Sequence, residues 1–124
     1  MRIKQITLLL PVILCLALPL AAQQTTVYTE ANRHYKQGVD FYEQGLFGEA
    51  KQEFERAVTL LQPVNEADAA MLRTRAEFHY AKSAIMLDQP DAEKLITSFI
   101  RKYRPDPITD QALLEVANYY FDQG

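Results

Sequence analysis

The chain has 124 residues, room for one modest domain, with 13 basic against 16 acidic residues and a formal charge of −3. An acidic balance disfavours a phosphate backbone or an anionic membrane face as main partner, because both repel it. Cys15 is the only cysteine, so no intrachain disulfide can form.

Arg2 and Lys4 precede an almost wholly apolar run from Ile6 to Leu20, and small Ala21 and Ala22 follow before a polar stretch. That order of charge, apolar run and small residues is a secretory signal peptide, which predicts cleavage after Ala22 and a periplasmic or secreted mature protein. The run is shorter than the ~20 residues of a spanning helix, and Pro11 and Pro19 interrupt it, so no membrane span is expected after cleavage. Ile13 and Leu14 before Cys15 do not make a lipobox. The mature chain would then lack any thiol, and losing Arg2 and Lys4 leaves 11 basic against 16 acidic residues, a charge of −5.

Residues 23–27 are a polar lead-in to a single domain over 28–124, where every strong apolar period is helical. Tyr28, Ala31, Tyr35, Gly38, Phe41 and Tyr42 form the first stripe, broken at Gly45. Phe47, Ala50, Phe54, Ala57, Val58 and Leu61 form the second, stopped by Pro63. Asn65 is placed to cap a third helix, with Glu66 and Asp68 suiting its dipole. That helix carries Ala70, Met71, Phe78, Ala81, Ile85 and Met86. Asp88 and Pro90 restart the chain, and Ala92, Leu95, Ile96, Phe99, Ile100 and Tyr103 make the fourth stripe, closed by Pro105. Asp106 and Pro107 are an N-cap and N1 pair for a fifth helix bearing Ile108, Ala112, Leu113, Val116, Ala117, Tyr120 and Phe121. No segment alternates like a strand. The predicted fold is all-α, with about five helices after the signal peptide.

The stripes repeat. Counting Ala31 as the first position of a unit puts Gly38 at eight, Phe41 at eleven, Gly45 at fifteen, Ala50 at twenty, Phe54 at twenty-four and Ala57 at twenty-seven. Small residues at eight, twenty and twenty-seven let antiparallel helices approach, and large ones at eleven and twenty-four fill the groove between them. This pattern resembles the tetratricopeptide repeat over one whole unit, residues 31–64. A divergent second unit is expected over 73–106, with Ala92 at twenty, Ile96 at twenty-four and no turn glycine near Leu87 and Asp88. An incomplete third covers 110–124. The stretch SFIRKYRPDPITDQALLEVANYYFDQG is similar to a recurring segment of bacterial envelope repeat proteins, the BamD-like β-barrel assembly lipoproteins and the Tol-system coordinator family. The resemblance implies antiparallel helix pairs stacked as an α-solenoid. It also implies an N-terminal fragment with further repeats beyond Gly124, the other reading being that the fifth helix is itself a cap.

No motif for an enzyme, a cofactor or a metal stands out. His34 and His79 lack a second histidine or a carboxylate at zinc-ligand spacing and are read as packing or surface residues. Glu49 and Glu53 share a helix face with Lys51, Gln52 and Arg56 nearby, which reads as a solvated exterior. Arg101, Lys102 and Arg104 end a helix, where cations offset the dipole.

In the repeat family the first helix of each unit lines a concave face, and positions two, five, nine, twelve and thirteen meet the ligand. Here those positions are Asn32, Tyr35, Val39, Tyr42 and Glu43, then Thr74, Glu77, Ala81, Ala84 and Ile85, then Gln111, Leu114, Asn118, Phe121 and Asp122. The groove expected to hold a protein or peptide centres on Asn32, Tyr35, Val39, Tyr42, Glu43, Glu77 and Asn118. Tyr35 and Tyr42 offer contact area with a polar handle, or else pack on a neighbouring element. The resemblance implies an exported, non-enzymatic scaffold for protein–protein interaction in envelope assembly or maintenance. The alternative is the non-catalytic helical arm of a peptidoglycan- or glycan-handling protein.

Overall fold

A computed structural model describes the backbone of residues 2–124 and the side chains from Ala22 onward. Five helices follow in order: α1 Arg2–Glu43, α2 Phe47–Leu61, α3 Ala67–Met86, α4 Ala92–Tyr103 and α5 Ile108–Gln123. Among the described residues there is no strand, and no helix is long and apolar enough to cross a membrane. The signal-peptide reading, with Cys15, rests on side chains outside the described residues. The polar lead-in at 23–27 is itself helical, and Thr26 and Thr29 donate to the carbonyls of Ala22 and Thr25 one turn back.

Each helix packs on the next, α1 also touches α3, and α3 touches α5, while the backbones of α2 and α4 stay apart. α3 is therefore the central element. Its buried residues, Ala69, Leu72, Ala76, Phe78, Ala81, Ser83, Ala84 and Ile85, run around most of the helix because neighbours cover it on two sides. Met71 and Met86, expected in its stripe, are 56% and 43% exposed, and Leu72 takes the inward place instead. One core cluster joins Ala31, Leu61, Val64, Ala69 and Leu72; another joins Phe78, Ala81, Ala84 and Ile85 to Ala92, Ile96, Phe99 and Ala112.

In α2 the inward residues Ala50, Phe54, Ala57 and Leu61 lie three or four apart, as one helix face requires. Phe54 is fully buried against Gly38 of α1, where an added Cβ would lie 2.7 Å from a ring carbon. The small residue lets the ring reach the α1 backbone. No basic residue sits in the last turn of α2. Its terminal carbonyls are instead met by Arg73 of α3, which donates to Leu61, Gln62 and Val64 oxygens at 2.9, 3.4 and 3.3 Å.

Asn65 does not cap α3. Glu66 flanks that helix in extended conformation without a side-chain cap bond. Asp106, by contrast, does serve α5: its Oδ1 accepts from the Ile108 N–H at 3.0 Å.

The turns ending α1 and α3 are built alike. Gly45 (φ 77°) donates to Tyr42 O and Leu46 to Phe41 O; Asp88 (φ 51°) donates to Ile85 O and Gln89 to Ala84 O. Both are Schellman caps with a left-handed residue after the helix. The second cap lacked its glycine signal because an aspartate occupies the left-handed position, which that side chain tolerates. Gly124, directly after α5, donates to Phe121 O without the positive φ of Gly45 and Asp88. A β-branched residue pays the full left-handed cost, so Asp88→Val should lower stability by about 1–2 kcal/mol. Urea unfolding in a Tyr119→Phe background checks this, because Tyr119 donates to Asp88 Oδ1 at 3.2 Å and that bond must be removed from the comparison.

Candidate functional site

The contacts α1–α3 and α3–α5 bring the odd-numbered helices to one side. Tyr35 and Tyr42 lie two turns apart on α1 and both are half-buried. The Tyr35 ring is 5.8 Å from Phe54 and 5.6 Å, edge-on, from His79 of α3. Tyr42 meets Phe47 at 5.0 Å and His79 at 6.4 Å. Lys82, one turn along α3, places its ammonium 5.0 Å from the Tyr42 ring centre and 2.9 Å from Glu115 Oε1 of α5. An aromatic strip on α1 and α3 thus leads to an ion pair that ties α3 to α5.

Electrostatics follow from this packing. Burial, and then the Glu115 charge, pushes the Tyr42 hydroxyl up to about 12. Burial also raises Tyr35, against the opposing pull of Arg75. Both stay protonated donors at neutral pH. His79 is held below its ordinary 6.5, chiefly by burial and also by the Lys82 and Arg75 charges; its bond to Arg75 O and the charge of Glu115 oppose that. A depressed histidine is neutral in the fold and binds a proton more readily when unfolded. Its stabilising contribution is therefore complete above about 6.5 and is lost as pH falls through the lower folded value. The His79 imidazole resonances should titrate with a midpoint below 6.5. A His79→Phe chain should lose less stability than wild type as pH falls below about 6.5.

The expected groove residues do not all meet. Asn32 and Val39 are partly exposed on α1, Glu43 is exposed at its end, and Asn118 is exposed on α5. Glu77 stands elsewhere: both of its carboxylate oxygens accept from Lys102 of α4, at 2.8 and 3.0 Å. It lines a cleft of about 400 Å³ between α2 and α4, with Val58, Tyr80, Leu95 and Phe99. Ala81, Ala84 and Ile85 are core residues, while Leu114 and Phe121 are exposed. The second-unit positions miss because Asp88, not Leu87, matches Gly45, which moves the α3 count on by one residue. Ala92 follows Asp88 by four residues where Ala50 follows Gly45 by five, so the frame taken from α4 cannot serve α3. Counted back from Asp88, Ala81 matches Gly38 and Lys82 matches Val39. Lys82 was missed for this reason, and the turn aspartate was the signal; His79, expected as a packing or surface residue, packs against Tyr35, Phe54 and Phe78.

Glu53 corrects a second expectation. It is not a solvated side chain but 6% exposed. One oxygen lies 2.5 Å from His34 Nδ1 and the other 2.5 Å from Arg56. His34 thus faces α2 as a packing residue with a polar partner, and Arg33 approaches its Nε2 at 3.3 Å. Among the described residues no three histidine, cysteine or acidic side chains are grouped to hold a metal ion. Comparison of the chain with protein-family models, curated proteins and solved structures gives no match. The α1–α3–α5 side offers stacking surfaces, phenol donors and one paired cation, chemistry suited to holding a peptide or another surface.

Proposed function

We propose that the chain is an exported tetratricopeptide-type repeat scaffold that holds a protein partner along the α1–α3–α5 side, in assembly or maintenance of a cell envelope. The observation that carries this reading is the repeated architecture. α1 and α3 end in the same left-handed cap, each is followed by a covering helix, and α1, α3 and α5 touch in sequence. Stacked helix pairs of this kind present a preformed face at little ordering cost. With Asp88 as the turn residue, the groove positions of the second unit become Arg75, Phe78, Lys82, Ile85 and Met86, of which Arg75, Lys82 and Met86 reach the surface while Phe78 and Ile85 are buried in the core. The aromatic strip and the Lys82–Glu115 pair then belong to one partner face. Export rests on the charged, apolar and small-residue order of residues 1–22.

Tyr35 and Tyr42 share their rings with the core, so the test uses exposed positions. A chain with Glu43→Lys and Asn118→Lys should keep its helicity by circular dichroism and capture its partner from envelope extract about tenfold less well. Unchanged capture would move the partner face elsewhere. Binding to isolated peptidoglycan with no protein partner would favour the glycan-handling arm.

A further inference from the structure

Four rings surround His79 of α3. Tyr35 and Tyr42 come from α1, Phe54 from α2 and Phe78 from its own helix, at 5.6, 6.4, 5.1 and 5.4 Å between centres. Its Nδ1 lies 2.9 Å from the Arg75 carbonyl, one turn back. A carbonyl only accepts, so Nδ1 carries the proton, and in the neutral ring Nε2 is a bare acceptor. Among the described residues only the Tyr103 hydroxyl is a buried polar side-chain atom without a partner. His79 Nε2 and the Tyr35 and Tyr42 hydroxyls make no hydrogen bond with the described residues either, so all three atoms keep access to water. The imidazole touches both tyrosine rings, which lie two turns apart on α1. One free acceptor thus stands between two free donors.

That set of atoms selects an occupant. An extended peptide backbone offers an N–H for Nε2 and carbonyls for the two phenols, whatever its side chains. A helix in the groove would not serve, because its own ladder already uses those groups. The match also depends on pH. The charged groups acting on the imidazole are Arg75 and Lys82 of its own helix and Glu115 of α5; α1 and α2 face it with uncharged phenols and a phenyl ring. Protonation turns Nε2 from acceptor into donor, and a backbone N–H then meets another N–H. We propose that His79 is the recognition residue of this face: Nε2 accepts a backbone N–H from an extended segment of the protein partner, flanking carbonyls accept from Tyr35 and Tyr42, and acid releases the segment. This contact rests on the scaffold reading above, and adds which atom reads the partner and what frees it.

Two measurements on the purified full chain test it. Nitrogen resonances of the His79 ring at neutral pH should show Nδ1 protonated and Nε2 bare, and the opposite tautomer would overturn the proposal. The binding probe is a displayed library of short random peptides without Asp, Glu or His, selected at neutral pH, so that the chain alone titrates. Winning sequences, synthesised with capped ends, should shift the Tyr35, Tyr42 and His79 resonances. Their affinity should fall about tenfold for each pH unit below the His79 midpoint, with unchanged circular dichroism. His79→Phe keeps a ring in place; it should weaken the peptides about tenfold and abolish that slope. N-methylation of one peptide nitrogen should cost the wild-type chain about as much and the His79→Phe chain nothing further. Peptides that shift Tyr35 and Tyr42 yet ignore His79→Phe, or keep their pH slope in it, would overturn the His79 contact and leave the partner face standing. No bound peptide at all, or peptides that shift only other parts of the chain, would overturn both.

Discussion

Phe54→Ala is expected to lower stability by about 3–5 kcal/mol, the cost of emptying a fully buried aromatic site. The ring fills the space left by Gly38 and touches Tyr35 and His79, at 5.8 and 5.1 Å between ring centres. Its loss therefore loosens three helices together. Gly38→Ala tests the same contact from the other side. Its Cβ would lie 2.7 and 2.8 Å from two carbons of the Phe54 ring, closer than atoms can approach. With α2 pushed away, the cost should be about 1–3 kcal/mol. The decisive measurement is the double variant. Once Phe54 is alanine the obstruction is gone, and alanine exceeds glycine inside a helix by about 0.5–1 kcal/mol. Gly38→Ala should then change sign and become stabilising in urea titrations. A penalty that persists without the ring would mean that something else limits the approach of α1 and α2.

The second large effect is expected at Glu53. Its carboxylate is nearly out of water and is met by His34 from α1 and by Arg56 from its own helix. The Arg56 side chain is 57% exposed, so little of the stabilisation is assigned to it. His34→Ala leaves the carboxylate facing a void beside one exposed cation and should cost about 2–4 kcal/mol. Replacing both residues by leucine removes the buried charge along with its partner. That pair should be less destabilising than His34→Ala alone, because an apolar contact needs no satisfaction. Equal or greater damage from the double replacement would mean that packing shape at this spot outweighs the hydrogen bond.

These sites also show what a sequence can and cannot reveal. The Gly38–Phe54 contact was legible, since a small residue and a large one at fixed offsets on consecutive amphipathic stripes have one sensible way to meet. Helix ends at Gly45, Pro63 and Pro105 were legible for similarly local reasons. Glu53 was not, because Lys51, Gln52 and Arg56 make its surroundings look wet. Its partner His34 lies 19 residues away on another helix. The α3 register was misplaced by a single turn residue, as aspartate adopts at 88 the left-handed conformation that glycine would have announced. Met71 and Met86 misled for a different reason. A helix covered on two sides has no clean polar face, so its period cannot say which residues turn inward. On the α1–α3–α5 side, Tyr35 and Tyr42 of α1 could be singled out one by one. The companionship of Tyr35 and Tyr42 with His79 and Lys82 depends on how two helices cross, which no local pattern contains.

α3 carries one further consequence. Its N-terminal half supplies Ala69 and Leu72 to one cluster, and its C-terminal half supplies Phe78, Ala81, Ala84 and Ile85 to the other. The two cores are strung on one helix like panniers on a single bar. No cut in the chain divides them cleanly, for a break before α3 strips the first cluster and a break after it strips the second. The helical fold is in this respect indivisible, and its smallest viable piece contains α3 with coverings on both sides.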